Sequence, residues 1–84
     1  MARVEVYTTP SCPYCVQAKR LLHARKIPYS EIDLAADPVL RADIMARTGR
    51  RTVPQIFIDG QPIGGFDELQ AMDVAGTLRD LRSE

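Results

Sequence analysis

The chain has 84 residues, 45% of them hydrophobic, with eleven lysines and arginines against eleven aspartates and glutamates. That length supports one modest core, so residues 1–84 are expected to form a single domain, and a formal charge of zero leaves no global field to recruit nucleic acid or an anionic membrane. No apolar run approaches membrane-spanning length, and Met1-Ala2-Arg3-Val4 passes into a strand-like pattern without signal-peptide character, so a cytoplasmic protein with neither a nucleic-acid nor a membrane partner is expected.

Arg3-Val4-Glu5-Val6-Tyr7 has the β-branched and aromatic content of a strand, and Thr8-Thr9-Pro10-Ser11 ends it with turn formers. A helix is predicted next. Ser11 and Cys12 stand at its mouth, and Pro13 suits its first turn because proline's missing N–H is no loss there. Cys15, Ala18, Leu21 and Leu22 form an apolar stripe at spacings of three and four, which turns Cys15 inward and leaves Cys12 at the exposed tip. Pro28 closes the following loop, and Tyr29-Ser30-Glu31-Ile32-Asp33-Leu34 alternates as a second strand, paired in parallel across the helix. Asp37 and Pro38 make a cap and first-turn pair, Leu40, Ile44 and Met45 give an apolar face, and Gly49 suits a left-handed stop, which places a helix over 38–48. Gln55-Ile56-Phe57-Ile58 and Gln61-Pro62-Ile63-Gly64 flank Asp59-Gly60 as a two-residue hairpin, with Pro62 on an edge strand. Gly64-Gly65 opens a last helix with Asp67 and Glu68 in its first turn, where they suit the helix dipole, and a short turn after Gly76 involves Leu78 and Leu81.

Cys12 and Cys15 are the two cysteines of the chain. In a reducing cytosol such a pair points to catalytic or redox use rather than a structural staple. A zinc site needs about four ligands, and beyond the two thiols the chain has one histidine, His23, placed mid-helix and given no role. No metal is expected. At a helix N-terminus, free N–H groups and the dipole favour the thiolate, the form that acts as nucleophile. The dipole alone lowers a thiol pKa by little more than about one unit, so amides near Tyr14 and Cys15, and the Cys15 thiol, are expected to supply the rest. Cys12 is then the nucleophile, with a pKa within the roughly 3.5–7.5 range of activated cysteines.

The order β-α-β-α-β-β-α, with Cys-x-x-Cys at the first helix start, resembles a thioredoxin-like α/β domain: a central four-stranded mixed sheet flanked by helices. Three elements in fixed order, Cys12-Pro13-Tyr14-Cys15, Thr52-Val53-Pro54 and Gly64-Gly65-Phe66-Asp67, together resemble the small bacterial dithiol glutaredoxins. The resemblance covers essentially the whole chain. It implies a glutathione-dependent disulfide oxidoreductase that reduces protein disulfides through both cysteines and glutathione mixed disulfides through Cys12 alone. Glutathione serves as reductant, and ribonucleotide reductase is a family client; the chain is expected to act as a monomer.

The resemblance further implies that Pro54 is cis and that Val53 offers its backbone to glutathione as to an added strand. Proline simply starting a strand is the blander alternative. The glycine turn would take the γ-glutamyl carboxylate on backbone amides and Asp67 its ammonium, although an Asp here is also a common cap. Glutathione contacts are thus expected at Tyr14, Arg41, Thr52, Val53, Pro54, Gly65, Phe66 and Asp67. Arg41, Arg47, Arg50 and Arg51 each read as solvated charges, yet their clustering suggests local attraction for an anion, and Arg41 matches the position near the glycine carboxylate. One departure stands out: many glutaredoxins have lysine three residues before the first cysteine, where this chain has Thr9. A higher Cys12 pKa or weaker glutathione binding follows unless an arginine compensates.

Two alternatives stay open. A redoxin reduced by thioredoxin reductase would share the fold, but Gly65-Phe66-Asp67 argues against it. An iron–sulfur cluster held by two chains through Cys12 and glutathione is the other, and the Pro13-Tyr14 spacer resembles the catalytic members more.

Overall fold

The computed structural model describes residues 3–81; the outermost ends of the expected 1–84 domain lie outside the described residues. The strands are β1 (Val4–Thr8), β2 (Ser30–Asp33), β3 (Gln55–Ile58) and β4 (Gln61–Gly64), and the helices α1 (Pro13–Ala24), α2 (Pro38–Thr48) and α3 (Phe66–Val74). The sheet order is β2-β1-β3-β4, with β1 parallel to β2 and antiparallel to β3, and β3 antiparallel to β4. The expected mixed sheet and helix order are both present.

Two apolar clusters hold the layers together, one on each face of the sheet. Val4, Val6 and Ile56 meet Ala18 and Leu22 of α1 and Leu69 of α3, while Tyr7 and Phe57 meet Leu34 and Ile44. The alternation of β1 therefore divides its side chains between α1 and α3 on one face and α2 on the other. Leu22, Leu69 and Ile44 are fully buried, and each such side chain contributes about 1.5–3 kcal/mol by leaving water. Arg47 covers the far side of the second cluster, its guanidinium 5.4 Å from the Phe57 ring centroid.

Local chemistry sets the ends of the elements. Asp37 caps α2 by accepting the Leu40 N–H at 3.0 Å, Pro38 follows, and Gly49 ends the helix at φ 71° with its N–H on the Met45 carbonyl at 2.9 Å. Asp59 and Gly60 both have positive φ, as a tight hairpin turn requires. One feature differs from the expected string. Leu34, expected to finish the second strand, instead opens a 3-10 turn, Leu34–Ala36, because Asp33 accepts the Ala35 N–H at 2.8 Å and draws the chain off the sheet. The expected turn after Gly76 is a second 3-10 segment, Thr77–Leu81.

Candidate active site

The loop after β1 delivers Cys12 to the start of α1, where it is the N-cap residue in extended conformation and Pro13 takes the first helical position. Its sulfur accepts the Cys15 N–H at 3.1 Å and lies 3.7 Å from the Val53 carbonyl oxygen. Cys12 and Cys15 are joined in a disulfide with their Cα atoms 5.2 Å apart. Cys15 is 2% exposed, one of the buried residues of α1, whereas Cys12 is half-buried between exposed neighbours. The first turn of α1 contains no acidic residue, so no carboxylate competes for its N–H groups and dipole. One sulfur is thus presented toward solvent beside a donor, and the other is buried.

On the β3 side of this pair, Tyr14, Thr52, Val53, Pro54, Gly65, Phe66 and Asp67 line one groove of about 330 Å³, together with Arg50 and Glu68. The Val53–Pro54 peptide is cis. The rings of Tyr14 and Phe66 stand 6.3 Å apart between centroids and 32° from parallel, forming an apolar end to the groove. Gly64 has φ 118°, a conformation side-chain-bearing residues rarely adopt, and a Cβ there would lie 2.6 Å from Glu68 Cγ.

The glycine turn is partly satisfied from within. Glu68 Oε1 accepts the Gly65 N–H at 2.6 Å and a hydrogen from Arg50 Nη1 at 3.1 Å. The Gly65 N–H, and then Arg50, hold the Glu68 carboxyl below its ordinary value. The sequence placed Glu68 only in the first turn of the helix and Arg50 only among the clustered arginines; their pairing at the groove was not read, although a glutamate three positions after Gly65 has capping-box spacing. Arg41 is not among the residues lining the groove. It lies with Pro38, Ala42, Met45 and Arg51 in a separate depression, so a role at a glutathione carboxylate requires the ligand to extend past Thr52.

On the β2 side, a cleft of about 430 Å³ runs from Thr9 and Pro10 past Cys12 and Cys15 to Lys19 and Glu31. Glu31 Oε2 accepts from Lys19 Nζ at 2.9 Å and from the Thr8 hydroxyl at 3.0 Å. The Lys19 ammonium first, and then Thr8, hold the Glu31 carboxyl below its usual range despite partial desolvation, and Glu31 raises Lys19 in return. Thr9 lines this cleft, where the cation is Lys19, already engaged by Glu31. No arginine is among the residues lining this cleft, so none stands in there for the lysine that Thr9 replaces.

The glutaredoxin family model matches residues 4–63. Among curated proteins, the chain is 47% identical to glutaredoxin 3 of Escherichia coli over 81 residues, 96% of this chain and 98% of that one. It is 43% identical to a glutaredoxin of Pseudomonas aeruginosa over 83 residues, 99% of each chain. Among solved structures, glutaredoxin from Brucella melitensis superposes with a TM-score of 0.85 at 47% identity, covering 96% of this chain and 88% of that chain. A buckwheat glutaredoxin in complex with glutathione superposes with a TM-score of 0.84 at 28% identity, covering 95% and 81%.

Proposed function

From the premise that the chain belongs to the glutaredoxin family, we propose that Cys12 is its nucleophile, that Cys15 is its resolving thiol, and that the groove from Tyr14 to Asp67 holds glutathione. The protein is a glutathione-dependent disulfide oxidoreductase with a thioredoxin-like fold. The observation carrying the residue assignment is the asymmetry of the pair: the Cys12 sulfur receives the Cys15 N–H at 3.1 Å at the solvent edge, while Cys15 is 2% exposed.

In the dithiol route the Cys12 thiolate attacks one sulfur of a protein disulfide, and the departing thiolate takes up a proton. Cys15 then loses its proton and attacks the Cys12 sulfur, which releases the reduced protein and leaves the Cys12–Cys15 disulfide seen here. One glutathione opens that disulfide to a mixed disulfide on Cys12, and a second removes it as glutathione disulfide. In the monothiol route Cys12 takes the glutathionyl group from a mixed disulfide, expels the client thiol, and passes the group to a second glutathione. Cys15 takes no part.

The groove supplies the recognition. Val53 offers backbone groups to the tripeptide as an added strand would, N–H groups at the start of α3 face the γ-glutamyl carboxylate, and Asp67 pairs with its ammonium. Arg41 is assigned to the glycine carboxylate on its matched position alone. Metal-free action as a monomer in a reducing cytosol completes the reading, with ribonucleotide reductase the first protein client to assay. No helix among the described residues is long and apolar enough to cross a membrane.

The test is NADPH-coupled turnover of a small glutathione mixed disulfide, with glutathione and glutathione reductase in one arm and thioredoxin reductase alone in the other. Activity in the glutathione arm, abolished by Cys12→Ser and retained by Cys15→Ser, is the expected outcome. Turnover in the thioredoxin reductase arm alone would overturn the assignment of the groove.

A further inference from the structure

The two walls of the groove come from distant parts of the chain: Thr52–Pro54 precede β3, and Gly65–Asp67 open α3. One carboxylate oxygen joins them. Glu68 Oε1 accepts from Arg50 Nη1 at 3.1 Å and from the Gly65 N–H at 2.6 Å. Arg50 is itself braced, its N–H donated to Thr48 Oγ1 at 3.2 Å and its carbonyl accepting from Gln55 Nε2 at 2.8 Å. Gln55 is 3% exposed, so this support reaches into the interior. Space for the contact depends on Gly64, where a Cβ would come within 2.7 Å of Arg50 Nη1.

Resting on the reading of this groove as the glutathione site, we propose that Glu68, braced by Arg50, is a positioning residue for glutathione. It sets the spacing between the Val53 backbone and the first N–H groups of α3. A tripeptide that touches both walls responds to any change in that spacing. The reactivity of Cys12 depends instead on the Cys15 N–H within α1, which neither Glu68 nor Arg50 contacts. Loss of the clamp therefore weakens binding of the glutathionyl group and leaves the nucleophile as it was.

The experiment compares Glu68→Ala, Glu68→Gln and Arg50→Gln with the unaltered protein. Two quantities are read: KM for a small glutathione mixed disulfide, and the rate at which iodoacetamide alkylates Cys12 in the reduced protein. Glu68→Ala is expected to raise KM about fivefold, the factor a single hydrogen bond at a helix start is worth. Glu68→Gln keeps an oxygen for the Gly65 N–H and is expected to recover most of that loss, with Arg50→Gln raising KM about two- to threefold, as an exposed ion pair allows. Alkylation rates stay unchanged throughout. Should Glu68→Ala fold poorly, Arg50→Gln decides: a raised KM with unchanged alkylation supports the clamp, and an unchanged KM overturns it. An unchanged KM in a folded Glu68→Ala, no recovery by glutamine, or alkylation falling in step with KM also overturns it. Failure of the unaltered protein to use glutathione at all would sink the reading of the groove instead.

Discussion

The two hollows beside Cys12 are made of different materials. On the β3 side, the cis Val53–Pro54 peptide and the Gly64–Gly65 turn present backbone, and the main carboxylate there is anchored first by a neutral N–H. On the β2 side, the polar surface includes a hydrogen-bonded triad of side chains, Thr8, Lys19 and Glu31. Backbone held by a proline ring and by the Gly65 N–H bond to Glu68 presents donors and acceptors with little freedom to move, whereas a half-exposed ion pair is tuned by solvent and salt. A ligand recognised mainly through its own peptide groups belongs with the first kind of surface.

The sharpest way to break this contrast is Gly64→Val. The new side chain faces a positive φ and runs into Glu68 and Arg50, so the cost is about 3 kcal/mol of stability. Urea unfolding should show that loss, and glutathione turnover should fall with it. Thr8→Val on the other side, removing one hydroxyl from an already paired carboxylate, should stay within about 1 kcal/mol. Equal losses would erase the distinction.

Acid titration sharpens the contrast at smaller amplitude. Both Glu31 and Glu68 have carboxyls held below their ordinary 4.5 in the folded protein. A depressed folded value means that the stabilisation is fully present above the unfolded pKa and is lost as pH falls through the folded one. The urea midpoint should therefore decline below about pH 4.5, each carboxylate contributing less than about 1 kcal/mol after solvent screening. Added salt should weaken the Glu31 share more, because its first partner is the Lys19 ammonium, while that of Glu68 is the uncharged Gly65 N–H. Glu31→Gln and Glu68→Gln variants, compared in low and high salt, separate the two.

The smallest effect is expected from Thr9→Lys. A cation added to the β2-side cleft near Cys12 should lower the thiolate transition only slightly, since solvent screens it. Absorbance of the thiolate against pH, in the Cys15→Ser background, reads this directly. No change in that transition or in glutathione kinetics would mean that Thr9 is not a deficit.

What could be read from the string was whatever local chemistry decides. Asp37-Pro38 and Gly49 bounded α2, Asp59-Gly60 made the hairpin, and the spacing of Cys15, Ala18 and Leu22 turned one thiol inward. Seven of the eight residues expected to meet glutathione line the same groove, although they come from three separate segments. The Arg50–Glu68 pair was not legible, because its partners are 18 residues apart and meet only when β3 and β4 bring the Thr52 loop against α3. The same holds for Lys19 with Glu31, joined across α1 and β2. Position along α2 likewise could not tell that Arg41 lies in a depression separate from the groove. The early end of the second strand turned on one aspartate side chain competing for a backbone hydrogen.

The placement of Tyr14 gives the molecule an optical property. The chain has three tyrosines and no tryptophan, so its near-ultraviolet emission is tyrosine emission. Tyr7 is buried and Tyr29 half-buried, while Tyr14 is 57% exposed, sits between the two cysteines in sequence, and faces Phe66 across the groove. A peptide entering the groove, or a change in the sulfur chemistry beside it, alters the surroundings of that one phenol far more than those of the other two. The protein carries its own label at the place proposed for its chemistry.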